Sequence, residues 1–85
     1  MYVSYSRKFL KNASRLSKKL IALAEEKEIL FREDPHHPSL HTHQLHGKER
    51  GISAFWVNYH YRIKFLFLSE SHALFLDVGP HDFYE

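Results

Sequence analysis

Residues 60–68, which read HYRIKFLFL, carry the clearest structural pattern of the chain, because apolar and polar side chains alternate along them. Successive side chains of a β-strand point to opposite faces of the sheet. Extended backbone here gives one continuous apolar face, made by Tyr61, Ile63, Phe65 and Phe67. Arg62 and Lys64 then lie on the other face, together with His60. The segment predicts a long strand with one face in the core and the polar face free for function.

The segments on either side of this strand also have the composition of strands. Residues 52–58 (ISAFWVN) follow a charged turn between Gly47 and Gly51, and residues 73–79 (ALFLDVG) follow a short reversal at residues 70–71. Strands joined by short connections are usually antiparallel neighbours. The second half of the chain therefore predicts an antiparallel meander of three strands.

The first half of the chain has helical spacing, because apolar residues recur every three or four positions over residues 6–33. Asn and Ser favour helix ends, so a break at residues 12–14 predicts two antiparallel helices, with one unbroken helix as the alternative. Asp34 and Pro35 end the helical region, and residues 2–5 suggest a strand before it. The expected fold class is α+β, with an N-terminal short strand and a helical hairpin packed on a small antiparallel β-sheet meander. We expect residues 1–85 to form a single domain.

The composition limits the classes of protein to which the chain can belong. Its 85 residues suffice for one hydrophobic core, and the absence of cysteine excludes disulfides and cysteine-ligated metal sites. Twelve basic residues against ten acidic ones give a net charge of +2, to which eight histidines add below neutrality. The apolar runs are far shorter than the roughly 20 residues that cross a bilayer, and the N-terminus lacks a signal-peptide core. We therefore expect a cytoplasmic protein without a membrane partner.

The polar residues on the free face of the predicted sheet, and in the segments near it, are of the types that RNA cleavage requires. Arg62 and Lys64 lie on the free face of the predicted sheet, near segments that carry His43, His46, Lys48 and Arg50. Cleavage of an RNA phosphodiester needs one group to take the 2′-OH proton, another to protonate the leaving oxygen, and a cation for the phosphorane charge. Arg binds phosphate oxygens with its planar fork, and His exchanges protons near neutral pH.

Eight histidines also raise the question of a metal site. His41 and His43 would project to the same side of an extended segment. The chain has no HExxH motif, no cysteine ligand and no helical His pair at four-residue spacing. We therefore expect neither a metal nor a cofactor, and we assign His36, His37, His41, His60 and His72 to loops or the surface.

Three stretches resemble a known family. Residues 35–47 (PHHPSLHTHQLHG), 56–63 (WVNYHYRI) and 77–82 (DVGPHD) are similar, in this order and spacing, to the RelE/ParE superfamily of toxins from bacterial toxin–antitoxin pairs. The resemblance covers nearly the whole chain. It implies a helical hairpin packed on a small antiparallel sheet, in agreement with the fold expected above.

The resemblance also implies roles for single residues. Arg62 corresponds to the strand arginine that contacts the scissile phosphate. His81 corresponds to the general acid or to a member of the acid–base pair, and His43 to a second proton-transfer group. The terminal Tyr84 corresponds to a residue that stacks on a base or orients the substrate, and its spacing from His81 leaves Phe83 as the alternative. The residues expected to bind RNA are Lys48, Arg50, His46, Lys64 and Phe83. The general-acid assignment has a purely structural alternative, in which His81 only caps a strand end.

The implied function is ribosome-dependent cleavage of messenger RNA, under the control of a cognate antitoxin in a toxin–antitoxin hetero-oligomer. The alternative is a non-enzymatic toxin that poisons DNA gyrase and shares the fold, and a third option is a relative that only binds its partner. For Arg62 the structural alternative is a surface ion pair with Glu49, Asp77 or Asp82.

Overall fold

The computed structural model describes residues 1–81, which form two helices and five strands. Short 3₁₀ turns cover Pro38–Leu40 and Gly47–Glu49. The regular elements in chain order are β1 (Tyr2–Tyr5), α1 (Arg7–Ala13), α2 (Lys18–Glu33), β2 (His43–Gln44), β3 (Ser53–Trp56), β4 (Tyr61–Ser69) and β5 (His72–Pro80). The expected α+β class is confirmed. No helix within these residues is long and apolar enough to cross a membrane.

The strands form one sheet in the order β1-β5-β4-β3-β2. The antiparallel meander of β3, β4 and β5 is confirmed, with Trp56 opposite Arg62 and Arg62 opposite Gly79. Two features of the sheet were not expected from the sequence. The first strand, β1, pairs with β5 in parallel, so the sheet is mixed, and the two-residue strand β2 adds an edge beside β3.

Each helix of the hairpin begins at a serine N-cap. The Ser6 side chain accepts the Phe9 amide at 3.0 Å, and the Ser17 side chain accepts the Leu20 amide at 3.2 Å. The two helices are therefore separate, as expected, but the break lies at residues 14–17 rather than 12–14. Asn12 stays helical because its side chain donates outward to Asp77 at 2.7 Å instead of bonding to its own backbone.

The core is built around Phe31 of α2, which is fully buried. Its ring lies 4.9 Å from that of Phe55 on β3, 4.8 Å from Phe65 on β4 and 5.4 Å from Phe75 on β5. The apolar face predicted for β4 is buried at Ile63 and Phe65, whereas Phe67 is 38% exposed at the outer end of the strand. The helical layer thus covers one face of the sheet.

Candidate active site

An open cavity of about 640 Å³ lies where the end of β5 meets the segment around β2. Four histidines, one arginine and one tryptophan contribute to its wall. The lining residues are His41, His43, Gln44, Leu45, His46, Trp56, Arg62 and His81. The structure therefore brings together Arg62, His43, His46 and His81, four of the residues that the sequence singled out.

Arg62 forms the floor of this cavity and is only 2% exposed. Its Nη1 donates to the carbonyl of Asn58 at 2.9 Å and also to that of Tyr59. Its Nη2 contacts Nδ1 of His81 at 3.0 Å, and its Cζ lies 4.3 Å from the centroid of the Trp56 ring. The guanidinium is therefore held in one orientation by backbone and aromatic contacts.

The surface ion pair considered for Arg62 is wrong for two of its three partners. Glu49 pairs with Lys64 at 2.9 Å, and Asp77 pairs with Lys8 at 3.4 Å. Asp82 lies outside the described residues. The sequence also placed Arg62 on an exposed face, but the carbonyls of the β3–β4 turn fold over its guanidinium and bury it.

His81 follows β5 directly, and its exposed ring meets Arg62. Arginine has no acceptor, so Arg62 must donate in this contact, and Nδ1 of His81 must accept. The neutral His81 ring therefore carries its proton on Nε2. The backbone amide of His81 donates to the His60 carbonyl at 2.6 Å, which fixes where the ring stands at the cavity.

The neutral ring of His43 carries its proton on the other nitrogen from that of His81. Its Nδ1 lies 2.8 Å from the carbonyl oxygen of His41, which can only accept. Nδ1 of His43 therefore carries the proton, and Nε2 of the neutral ring is an acceptor. The cavity thus contains one imidazole with an acceptor nitrogen at Nε2 and one with a donor N–H at Nε2.

The remaining predicted residues lie around this cavity or outside the described chain. Lys48 and Arg50 are exposed in or beside the Gly47–Glu49 turn but do not line the cavity. The Lys64 ammonium is bound to Glu49, and its side chain is 12% exposed. Phe83 and Tyr84 lie outside the described residues. The RNA-binding roles of these residues stay predictions.

Two residues of the cavity were given no site role from the sequence. His41 was assigned to the loops or the surface, yet its ring stacks on that of Trp56 at 3.7 Å with an interplanar angle of 23°. The alternation of strand residues could have placed Trp56 beside Arg62. Nothing in the local pattern indicated the left-handed backbone of His41, with φ 51° and ψ 40°, that brings its ring to Trp56.

In the portion of the chain that the structure describes, no three His, Asp or Glu side chains are gathered so that they could hold a metal ion. The histidines of the cavity make their described contacts with backbone, guanidinium and aromatic groups.

Comparison with solved structures identifies the fold as that of RelE/ParE-type toxins, which confirms the resemblance at the level of the fold. YafQ from E. coli strain BL21(DE3) has a TM-score of 0.78 at 17% identity, over 93% of this chain and 91% of YafQ. The YoeB/ParE toxin from Agrobacterium tumefaciens gives 0.78 at 10% identity, over 95% and 99% of the two chains. The toxin–antitoxin complex RelBE2 from Mycobacterium tuberculosis gives 0.78 at 15% identity, over 94% and 96%.

Sequence comparisons add nothing to this likeness, because no protein-family model and no curated protein matches the chain.

Proposed function

We propose that the chain is the toxin of a toxin–antitoxin pair and acts as an endoribonuclease that cleaves messenger RNA by acid–base transphosphorylation. The observation that carries this proposal is the contact between the Arg62 guanidinium and the His81 imidazole on the wall of an open cavity that also contains His43. This places a fixed cation and two rings with complementary protons around one space.

The reaction begins at a ribose 2′-OH of the RNA. Nε2 of His43 accepts its proton while the oxygen attacks the neighbouring phosphorus. The bond from phosphorus to the 5′-oxygen breaks, and His81 in its imidazolium form donates its Nε2 proton to the leaving oxygen. The products are a 2′,3′-cyclic phosphate and a 5′-hydroxyl. Each ring ends in the protonation state in which the other began.

Arg62 stabilises the negative charge that develops on the phosphorane. An imidazolium at His81 cannot accept a hydrogen bond, so the N–H of Arg62 Nη2 that meets the neutral ring becomes available, without rotation of the guanidinium, to a phosphate oxygen in the cavity. The anionic phosphate, bound between the two cations, offsets their mutual repulsion.

The experiment compares cleavage of an end-labelled messenger RNA, with and without ribosomes, by wild type and by Arg62→Ala, His81→Ala and His43→Ala. His81→Ala and His43→Ala are each expected to lose about 100-fold in rate, the typical contribution of one acid–base group. Arg62→Ala is expected to lose about as much, because one donor to the developing charge is removed. Arg15→Ala and His36→Ala, exposed and away from the cavity, serve as controls and keep the wild-type rate. Undiminished cutting by Arg62→Ala and His81→Ala overturns the residue assignment.

The effect of expressing the chain in cells distinguishes the ribonuclease from the gyrase-poisoning alternative. Loss of translation with intact DNA supports the ribonuclease, whereas DNA damage with normal translation supports the alternative. No contact in the described residues favours the latter specifically.

The partner that this function requires is a cognate antitoxin in the cytoplasm. RelBE2 and E. coli DinJ–YafQ, which share the fold, were each solved as a toxin–antitoxin complex. An amphipathic segment of the antitoxin covers either the cavity or the helical hairpin. Expression of the chain alone is expected to arrest growth, and co-expression of a small protein encoded beside it restores growth. Unimpaired growth without that protein contradicts the toxin assignment.

A further inference from the structure

The stack of His41 on Trp56 is held rigidly from both sides. The centroid of the Trp56 ring lies 4.3 Å from Cζ of the buried Arg62 and 5.6 Å from the centroid of the Tyr59 ring, which is nearly perpendicular to it. Both contacts limit the orientations that the indole can adopt. Trp56 is thus fixed at the same place as the cation that the proposed reaction uses.

His41 is fixed by its backbone. Its amide donates to the Pro38 carbonyl at 3.2 Å, and the preceding Leu40 is fully buried, which anchors the 3₁₀ turn. Left-handed backbone at a residue other than glycine is uncommon and costs conformational energy. The surrounding turn maintains this conformation and thereby presents the ring to Trp56.

The His41 side of the stack remains open to water. His41 is exposed, Trp56 is half-buried, and both line the cavity next to Arg62, His43 and His81. An imidazole at 3.7 Å and 23° from an indole has the spacing of stacked aromatic planes. A further planar ring can therefore add to the outer face of this stack while its attached phosphate remains in the cavity.

We propose that His41 and Trp56 form a binding subsite for one nucleobase of the RNA, next to the phosphate held by Arg62. The proposal rests on the proposed ribonuclease function and specifies how its substrate is oriented. The base stacks on the His41 ring, which continues the order Trp56, His41, base. Stacking on aromatic side chains is the common way in which proteins hold unpaired bases, and it tolerates different bases because each has a π-face.

The stack also connects the base to the chemistry. The His41 carbonyl accepts from Nδ1 of His43 and so sets the tautomer of the proposed general base. A base that stabilises the His41 ring in place therefore also stabilises the orientation of His43. His41 acts on the reaction as a positioning residue.

Trp56 makes the proposal directly measurable, because it is the only tryptophan of the chain. Its fluorescence is followed while wild type is titrated with a short RNA in which every 2′-OH is methylated, so that the nucleophile is blocked. A second titration uses an oligonucleotide of the same length and phosphate number that carries no bases. Wild type is expected to bind the RNA about tenfold more tightly than the abasic strand, with a change in Trp56 emission.

The variants separate the ring of His41 from its backbone. His41→Asn keeps a residue type that tolerates left-handed backbone but removes the aromatic ring, and it is expected to lose the tenfold preference. His41→Phe restores a ring and recovers the preference. His36→Asn, exposed outside this cavity, leaves it unchanged.

Two outcomes overturn the subsite: equal binding of both strands by wild type, or a full base preference in His41→Asn. If cleavage still depends on Arg62 and His81 in that case, the ribonuclease proposal stands without the subsite. The opposite result is also distinguishable. If wild type cuts no RNA but binds it with a base preference that depends on His41, the subsite is supported and the ribonuclease proposal is wrong.

Discussion

Arg62 is a buried cation whose described partners are two backbone carbonyls, one imidazole and one aromatic ring. Within residues 1–81 no carboxylate pairs with it. Bonds from a charged donor to carbonyls contribute more than neutral ones, and the planar fork of arginine makes several in fixed directions. The residue therefore has a structural role as well as the proposed catalytic one.

Replacement of Arg62 by lysine separates charge from geometry. Arg62→Lys keeps a positive charge but cannot reach both carbonyls and His81 in one plane, so the free energy of unfolding should fall by about 2 kcal/mol. Cleavage should fall by about 100-fold, because one amine cannot reproduce the fork. Urea unfolding and single-turnover cleavage measure the two effects. Lys8→Arg, exposed on α1, is the control, and wild-type values for Arg62→Lys would contradict both roles.

Tyr5 couples stability to pH through α2. Partial burial raises the pKa of Tyr5 above its usual value, and the hydrogen bond from its hydroxyl to Glu28 raises the pKa further, while Arg32 opposes the shift. The folded protein thus holds the phenolic proton more tightly than the unfolded chain does. This stabilisation is complete below the unfolded pKa of about 10 and is lost as pH rises through the folded pKa.

Tyr5→Phe should remove this dependence. Between pH 9 and pH 11, or roughly one unit either side of the unfolded pKa, the unfolding free energy should decline less in Tyr5→Phe than in wild type. Urea titrations at both pH values measure the difference. Tyr2→Phe, at an exposed site, is the control, and identical slopes in Tyr5→Phe and wild type would rule out the coupling.

At the level of helices and strands, the sequence correctly predicted those elements whose position depends on neighbouring residues alone. The alternation in residues 60–68 and the short turns on either side gave the meander, and β4 begins and ends within one residue of the expected bounds. The place of β1 in the sheet could not be predicted from the sequence, because its partner β5 lies about 70 residues away along the chain and no local signal selects a parallel neighbour. The same holds for β2, which is too short to show alternation.

The candidate site was predictable in part for the same reason. Arg62 and His81 occupy neighbouring strand ends, so the strand order alone brings them together. His41 reaches the cavity through a left-handed backbone conformation, and the burial of Arg62 depends on the path of the β3–β4 turn. Such features follow from tertiary packing, not from residue periodicity.

The N-cap of α2 offers a test at the scale of one element. Ser17 accepts the Leu20 amide and satisfies one of the amides that the first turn leaves unpaired. Ser17→Ala should lower the free energy of unfolding by about 1 kcal/mol, without effect on cleavage because Ser17 does not line the cavity. Chemical denaturation measures the change. Ser71→Ala in the exposed β4–β5 turn should be neutral, and an equal loss there would argue against the capping explanation.

The whole molecule depends on one aromatic cluster, because a chain of 85 residues has room for a single core. Phe31 is the point at which α2 meets three strands of the sheet, and its ring contacts Phe55, Phe65 and Phe75. The cavity lies at the ends of the same strands. Loss of the cluster should therefore loosen the helical layer, the sheet and the site together.

Phe31→Ala tests this dependence. The cavity it leaves should cost about 3 to 5 kcal/mol, a large share of the roughly 5 to 15 kcal/mol that stabilises a typical domain. Phe67→Ala, at a 38% exposed ring, should cost much less. Unfolding is followed by Trp56 fluorescence, which reports on the cavity, and by far-ultraviolet circular dichroism, which reports on the backbone. Coincident transitions shifted to lower denaturant in Phe31→Ala support one cooperative unit, whereas an early loss of the fluorescence signal alone would mean that the site unfolds independently of the core.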